Sequence, residues 1–218
     1  MKRRTLPVAV ALAATTTLLL TACGGGGEAG VKDEIAGADK GNGTLSASAT
    51  PSTPAGGAGR PDLTLPNDVK ETFEGWKTGD PAKDAVLADA GRSMTAVNRA
   101  ISDGDVNSPG LAYYFEGKAL VGSVKWVQTF IDNDATVTGT TRYYAPSVTL
   151  SGDTSAAVAL CADETKAFNK YRKTGKVDRD APSDDSYVYF LSRLERNAKG
   201  VWVTTEVASK GGSAQCVP

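Results

Sequence analysis

Histidine is absent from this 218-residue chain. Its absence excludes Ser-His-Asp and Cys-His nucleophile systems, a histidine general base and imidazole-ligated metal sites. An excess of positive charge is also missing, because 24 Lys and Arg residues stand against 25 Asp and Glu residues. Nucleic-acid binding depends on clustered basic side chains that displace counterions. We therefore expect no nucleic-acid partner.

A calcium-binding loop is missing as well. Asp153, Asp178, Asp180, Asp184 and Asp185 lie in the second half of the chain. None of them belongs to an alternating acidic loop with a central glycine and a distal glutamate. The sequence therefore predicts no metal site, and no motif indicates a cofactor.

Long apolar runs are confined to the N-terminus. Lys2, Arg3 and Arg4 precede an apolar stretch from Leu6 to Leu20, which is interrupted mainly by threonines. A membrane-spanning helix needs about 20 apolar residues, so this stretch is too short. A basic start followed by a short apolar run is typical of an export signal. We predict that residues 1–22 are a cleaved signal peptide.

The end of this segment resembles the lipobox of bacterial lipoproteins, on the residues Leu20, Thr21, Ala22 and Cys23. The resemblance implies cleavage between Ala22 and Cys23, and a fatty-acylated, palmitate-type diacylglycerol on the Cys23 sulfur. The expected location is the extracytoplasmic face of the cell membrane, with the lipid as the membrane contact. An ordinary secretory signal with a chance cysteine is the alternative, and the export route, Sec or twin-arginine, stays open.

Residues 23–60 follow as a glycine-rich tether. Residues 24–60 contain eleven glycines and two prolines and no aromatic residue. Such a composition cannot bury enough apolar surface to offset the entropy of ordering. We expect a disordered spacer, which would span roughly 30–35 Å as a flexible coil.

Residues 61–218 carry the pattern of an α+β domain. Residues 63–80 are interpreted as a strand-like arm, and Asp80 and Pro81 predict a helix start. Apolar residues then recur at helical spacing, and from Thr136 the period changes to two. The predicted segments are three helices (81–103, 111–115 and 120–131) and strands at 136–150, 156–161, 166–172, 187–195 and 201–207.

Several stretches together resemble a set of actinobacterial lipoproteins with a nuclear transport factor two-like, or ketosteroid-isomerase-like, domain. The matching pieces are Leu63-Thr64-Leu65-Pro66 with Phe73, Thr78-Gly79-Asp80-Pro81, the Tyr143-Tyr144 strand, Cys161, Lys173-Thr174-Gly175-Lys176-Val177, Val201-Trp202 and Gln215-Cys216. The resemblance covers residues 61–218. It implies a cone-shaped fold, in which three N-terminal helices pack on a strongly curved antiparallel sheet around a conical cavity. It also implies pairing of two copies, a homodimer, through the open sheet face.

Two cysteines remain once Cys23 carries lipid. Cys161 and Cys216 form an even pair in an oxidising compartment, which predicts a structural disulfide that holds the C-terminal tail on the sheet. The alternative is a reactive thiol or a metal pair. The spacing of 55 residues and the lack of a third ligand argue against that alternative.

Aromatic residues supply the candidates for the cavity lining. They are Tyr113, Tyr114, Trp126, Phe130, Tyr143 and Tyr144, and core packing is the competing interpretation. No catalytic residue is assigned. Asp163 or Glu164 with Tyr143 or Tyr144 would be the available parts of a carboxylate–tyrosine site. The two acids are expected to be solvated at a strand end.

The predicted function is that of a non-enzymatic binding or scaffolding domain in the cell envelope. Its expected partner is an envelope protein or a small amphiphile. The alternative is a small-molecule isomerase or dehydratase that acts in the cone cavity. A buried carboxylate with a raised pKa, facing a tyrosine, would favour the enzyme, and a closed apolar cavity would favour the scaffold. A solute-binding lipoprotein of a transporter is disfavoured, since a single domain lacks two closing lobes.

The lipobox generates a direct prediction for Cys23→Ala. The variant should lose fatty-acid label and membrane retention, because stable anchoring takes two or more acyl chains on one site. Metabolic labelling with a fatty acid measures this. Thr21→Ala, which keeps a small residue beside the cut, should stay labelled. Label that persists on the Cys23→Ala protein would contradict the assignment.

Overall fold

A computed structural model describes residues 59–218 of the chain. The predicted signal peptide, the lipidation site at Cys23 and nearly all of the tether lie outside these residues. The described elements are β1 (Val69–Phe73), α1 (Pro81–Asp103), α2 (Pro109–Tyr114), α3 (Gly117–Asp132), β2 (Ala135–Ser151), β3 (Ser155–Tyr171), β4 (Val177–Asp178), β5 (Tyr187–Arg196) and β6 (Trp202–Gly211). The mixed α+β class with one six-stranded sheet agrees with the prediction. Within residues 59–218, no helix has both the length and the apolar character to cross a membrane.

Helix α1 begins and ends where the local sequence predicts. The Asp80 carboxylate accepts hydrogen bonds from the backbone N–H groups of Ala82 and Lys83, at 2.9 and 3.3 Å. Pro81 occupies the first turn, where its missing N–H is not needed. At the other end Gly104 adopts a φ of 68°, the left-handed conformation that commonly stops a helix.

The sheet has the strand order β1-β2-β3-β5-β6, and β4 pairs with β3. Strands β2 to β6 are antiparallel to their neighbours, but β1 runs parallel to β2. The prediction of a purely antiparallel sheet behind N-terminal helices is therefore wrong at this edge. The arm at 63–80 contributes β1 before any helix, and the helical segment 81–132 is the crossover that a parallel pair requires.

The hairpin of β2 and β3 forms the longest pairing in the sheet, with 17 residues in each strand. Its register shifts twice, between Thr140 and Arg142 and between Tyr144 and Ser147. The second shift contains Pro146, which has no N–H to donate to a neighbouring strand and so fits a bulge. Each bulge bends its strand and increases the local twist. The first adjoins Gly139, where an added Cβ would lie 2.1 Å from the carbonyl oxygen of the neighbouring strand, so only glycine fits.

The length of β3 corrects the sequence-based prediction. We predicted two segments, 156–161 and 166–172, with Asp163 and Glu164 at a strand end. The structure has one continuous strand, paired with β2 on both sides of these acids through Arg142↔Asp163 and Thr140↔Lys166. The polar run is kept in the strand because the backbone pairing continues through it and Asp163 finds an ionic partner across the strands.

Two buried clusters form the core, and α1 contributes to both. The first joins α1 to the sheet through Val86, Leu87, Ala90, Tyr143, Ala156, Val158, Leu160, Ala162, Leu194 and Trp202. The second joins the three helices to β6 through Ala96, Ala100, Ile101, Leu111, Tyr114, Phe115, Ala119, Val127, Val201 and Val203. The buried Asp89 carboxylate accepts an ion-paired hydrogen bond from Arg60 at 2.5 Å and the backbone N–H of Trp202 at 3.0 Å. This contact attaches the first described residues to α1 and β6.

The predicted disulfide between Cys161 and Cys216 is present, with a Cα–Cα separation of 5.5 Å. Both cysteines are buried. The Tyr144 hydroxyl donates a hydrogen bond to the Cys216 carbonyl, and the Arg142 guanidinium lies 4.2 Å from the centre of the Tyr144 ring. The tail is therefore attached to β2 and β3 by a covalent bond and a hydrogen bond together.

A candidate ligand cavity between the sheet and the helices

A cavity of about 400 Å³ lies where β2 and β3 face α1 and α3. Ligand pockets typically enclose about 300–1,000 Å³, so it is large enough for a small organic molecule. Its lining mixes apolar and polar side chains, and the polar ones include Asn98 on α1 and Glu164 on β3. The aromatic residues are Trp126, Phe130, Tyr143 and Phe168.

The cavity opens where the sheet loses a strand. Strand β5 pairs with β3 only as far as Tyr187↔Asp163. Beyond this point β3 has only the two-residue β4 on that side, paired at Asn169 and Lys170. Glu164 is the first residue past the end of the β5 pairing. On the helical side the Trp126 side chain is 55 % exposed, which places it at the mouth.

Three of the six predicted lining residues do line this cavity, namely Trp126, Phe130 and Tyr143. Trp126 and Phe130 lie one helical turn apart on α3, and their rings meet edge to face with centroids 5.2 Å apart. Tyr143 is on β2 and is 5 % exposed, which makes it part of the cavity floor.

The other three predicted residues do not line it. Tyr114 is fully buried in the helical core, where its hydroxyl accepts a hydrogen bond from Arg60 at 3.0 Å. Tyr113 packs edge to face against Tyr114. Tyr144 is adjacent to Tyr143 on a strand, so its side chain points to the other face, where it contacts the disulfide-bonded tail. For these residues, packing and structural hydrogen bonds replace the predicted lining role.

Tyr143 is held so that its hydroxyl can act as a donor. The Asn98 amide donates a hydrogen bond of 3.3 Å to the Tyr143 oxygen, and the ring stacks on Phe73 with centroids 5.1 Å apart. Burial raises the pKa of Tyr143 well above its ordinary value, and the negative charges of Glu71 and Glu164 raise it further. The phenol therefore stays protonated at physiological pH.

Glu71, on β1, is a carboxylate that the sequence analysis missed. It accepts hydrogen bonds from Thr95 at 2.6 Å and from Asn98 at 2.7 Å. Burial raises its pKa, and these two hydrogen bonds offset only part of the effect. Only the alternation of apolar residues around it in β1 hinted that it points inward. Both of its oxygens are engaged by α1, so Glu71 supports Asn98 and Tyr143 from behind the cavity.

Glu164 differs from Glu71 because it has no hydrogen-bond or ion-pair partner anywhere in residues 59–218. Burial raises the pKa of its carboxyl group, and the neighbouring Asp163 charge adds to the effect. Burial would also raise the pKa of Asp163, but hydrogen bonds from Thr165 and Arg142 hold that pKa below its usual value. Both acids are partly buried in the middle of β3, so the expectation that they lie at a strand end is wrong. Asp163 is paired on one face, and Glu164 lines the cavity on the other.

This arrangement places a neutral phenol donor and an unpaired carboxylate in one cavity, together with aromatic rings and several neutral polar side chains. The donor is Tyr143 and the carboxylate is Glu164. In the described part of the chain, no group of three or more acidic or cysteine side chains is placed to hold a metal ion. The chemistry that these residues can perform is hydrogen bonding, charge pairing and proton transfer with an organic ligand.

The chain matches no known family model and none of the curated protein sequences. Among solved structures, a ketosteroid isomerase-like protein from Erwinia carotovora atroseptica is 19 % identical, with 59 % of this chain and 95 % of that chain covered and a TM-score of 0.40. A putative ketosteroid isomerase from Shewanella frigidimarina is 12 % identical, with 64 % and 100 % covered and a TM-score of 0.32. The intermembrane space region of the chloroplast protein ARC6 is 15 % identical, with 56 % and 92 % covered and a TM-score of 0.40. What the cavity does therefore has to follow from its own residues.

The unpaired carboxylate predicts that Glu164→Gln stabilises the domain at neutral pH. Because the pKa of Glu164 is raised in the folded state, protonation of this carboxyl group stabilises the folded protein. This stabilisation is complete below the unfolded-state pKa of about 4.3 and is lost as the pH rises through the folded-state pKa. The variant should thus unfold a few degrees higher than wild type at pH 7.5, where 1 kcal/mol corresponds to roughly 2–4 °C, and the difference should vanish near pH 4.

Thermal unfolding across this pH range measures the effect. The matched control is Glu206→Gln, since Glu206 is exposed and its 3.4 Å pair with Lys118 lies on the surface. A Glu164→Gln protein that is less stable than wild type at pH 7.5 would show that the carboxylate has a stabilising partner.

Proposed function

We propose that this protein is a lipid-anchored lipoprotein of the cell envelope whose domain, of the nuclear transport factor two-like type, binds a small amphiphile. The observation that carries the proposal is the unpaired Glu164 carboxylate beside the Tyr143 hydroxyl in a cavity that is lined in part by aromatic rings. Ligand pockets are typically apolar with a few convergent polar groups. The polar wall also makes a purely structural, apolar cavity a poor description.

The shape of the lining supports an amphiphile rather than a fully polar solute. Trp126 and Phe130 on α3 form an apolar corner at the mouth. Tyr143 and Glu164 lie on the sheet, and Asn98 lies on α1. A molecule with one polar end and one short apolar end would satisfy both. Burying its apolar part would contribute roughly 25 cal/mol per Å² of surface removed from water.

The N-terminal sequence supports the envelope location. The lipobox at Cys23 would hold the chain on the outer face of the membrane, and residues 24–60 would act as the spacer. Arg60, bound to Asp89, marks where the folded part takes over from that spacer. A ligand that partitions between membrane and water would then be concentrated close to the cavity.

Filling the cavity tests the proposed binding. In the full chain carrying Cys23→Ala, which avoids detergent, the uncharged fluorophore N-phenyl-1-naphthylamine should bind with enhanced emission. Ala167→Phe, which places a ring into the cavity wall, should reduce its affinity about tenfold or more. Ala157→Phe, at an exposed position on the same strand, is the matched control. Equal binding to all three proteins would place the probe elsewhere and contradict the proposal.

A second candidate function is proton transfer on a carbonyl compound, and the pairing of Tyr143 with Glu164 favours it. A phenol that stays protonated can donate a hydrogen bond to a carbonyl oxygen. A carboxylate with a raised pKa is a stronger base and can remove a proton from the adjacent carbon. The raised pKa of Glu164 and its place beside a tyrosine are the features that support this second candidate.

Deuterium exchange decides between binding alone and proton transfer. If the cavity is catalytic, the protein should accelerate exchange at the carbon next to the carbonyl of cyclohexanone in D2O, as followed by NMR. Glu164→Gln should lower that rate by about 10²–10⁴, and Glu206→Gln should leave it unchanged. A wild-type rate equal to that of buffer would reject the enzyme and leave the binding domain.

A further inference from the structure

The charge balance of the cavity identifies the ligand more narrowly. Glu164 is an anionic side chain that lacks any ion-pair or hydrogen-bond partner in the described residues. Burying a charge without a partner is costly, and a cationic ligand would supply the partner that the partly buried Glu164 carboxylate lacks. Other carboxylates near the cavity are already satisfied, Glu71 by α1 and Asp163 by Arg142 and Thr165.

The aromatic wall provides the second element of a cation site. The rings of Trp126 and Phe130 stand nearly perpendicular, with an interplanar angle of 85°. Tryptophan is the best ring for binding a cation through its face. Phe168, in the same wall, already interacts with a cation, because the Arg179 guanidinium lies 4.9 Å from its ring centre. A carboxylate among aromatic rings is the combination that holds organic ammonium groups.

We infer that the ligand carries an alkylammonium group, which pairs with the Glu164 carboxylate and packs against the rings of Trp126 and Phe130. This inference rests on the proposed binding function and names its ligand class. A primary amine has enough N–H donors to reach the carboxylate, and its alkyl chain would occupy the apolar corner. The Asn98 and Tyr143 side chains then supply further polar contacts.

Three basic side chains lie near this site and could compete with a cationic ligand for the Glu164 carboxylate. Lys70, which is exposed on β1, also borders the cavity, and Lys166 follows Glu164 on β3. Arg179 contacts the Phe168 ring. None of these three lies within ion-pair distance of Glu164, and its environment is dominated by burial and by the Asp163 charge. The site is therefore open to an external cation.

Three ligands of one chain length test the inference on the full chain carrying Cys23→Ala. Hexylammonium, hexanol and hexanoate share six carbons and carry a cationic, a neutral and an anionic head group, and calorimetry reports their binding. At pH 7.5 hexylammonium should bind about tenfold or more tightly than hexanol, and hexanoate should bind least. As the pH falls through the pKa of Glu164, the affinity for hexylammonium should drop while that for hexanol stays constant.

Two variants assign the effect to the named residues. Glu164→Gln should abolish the preference for the cation without abolishing hexanol binding. Trp126→Leu, at a half-exposed position, should weaken hexylammonium binding more than hexanol binding. Glu206→Gln is the control and should behave as wild type.

Hexanol binding that equals or exceeds hexylammonium binding, or a preference that survives Glu164→Gln, would overturn the inference. Tightest binding of hexanoate would overturn it in favour of an anionic ligand recognised by Lys70. The absence of binding by all three would also overturn it. In each case the uncharged fluorophore test still decides separately whether the cavity binds amphiphiles.

Discussion

The pairing of β2 with β3 is the constraint on which the domain depends. This hairpin pairs with β1 on one side and with β5 on the other. The end of the hairpin away from its turn, formed by the start of β2 and the end of β3, faces α1 and α3. Two register shifts bend β2, and Gly139 allows the backbones to approach at the first. Strand β5 ends its pairing at Asp163, so the remaining part of β3 faces the helices without a full neighbour. The cavity follows from this difference in strand length.

Two glutamates near the cavity have different roles, because one is hydrogen-bonded within the domain and the other is left unpaired. Glu71 accepts hydrogen bonds with both oxygens, so it fixes α1 against β1 and orients Asn98 under Tyr143. Glu164 has no such partners and reduces the stability of the ligand-free domain at neutral pH. Elsewhere, the disulfide of Cys161 and the ion pair of Asp89 with Arg60 attach the two ends of the described chain to the domain.

Local signals in the sequence were sufficient for the helices and turns. Asp80 and the following proline fixed the start of α1 in the prediction, since an N-cap is recognised from neighbouring residues alone. The β1 pairing could not be predicted in the same way, because its partner at 139–143 is distant in the chain. The expected oxidising compartment, and the even pair of cysteines left if Cys23 carries lipid, allowed the disulfide with Cys216 to be predicted without the fold.

The candidate site was only partly predictable, for a related reason. Trp126 and Phe130 were found because aromatic residues at helical spacing are visible in a sequence. Tyr114 was misassigned, since its partner Arg60 lies far away in the chain. Glu164 was read as solvated because a run of polar residues usually ends a strand. Only the continuous backbone pairing of β3 shows that this side chain points inward.

The ionisation of Glu164 tests the account most directly. In protein labelled with ¹³C at the glutamate carboxyl carbons, the signal of Glu164 is identified by its loss in Glu164→Gln. We predict that it titrates above the ordinary glutamate value of about 4.3 in the free protein and shifts to lower pH when hexylammonium is added. An ordinary pKa that the amine does not change would contradict the claim that an unpaired cavity carboxylate receives the ligand.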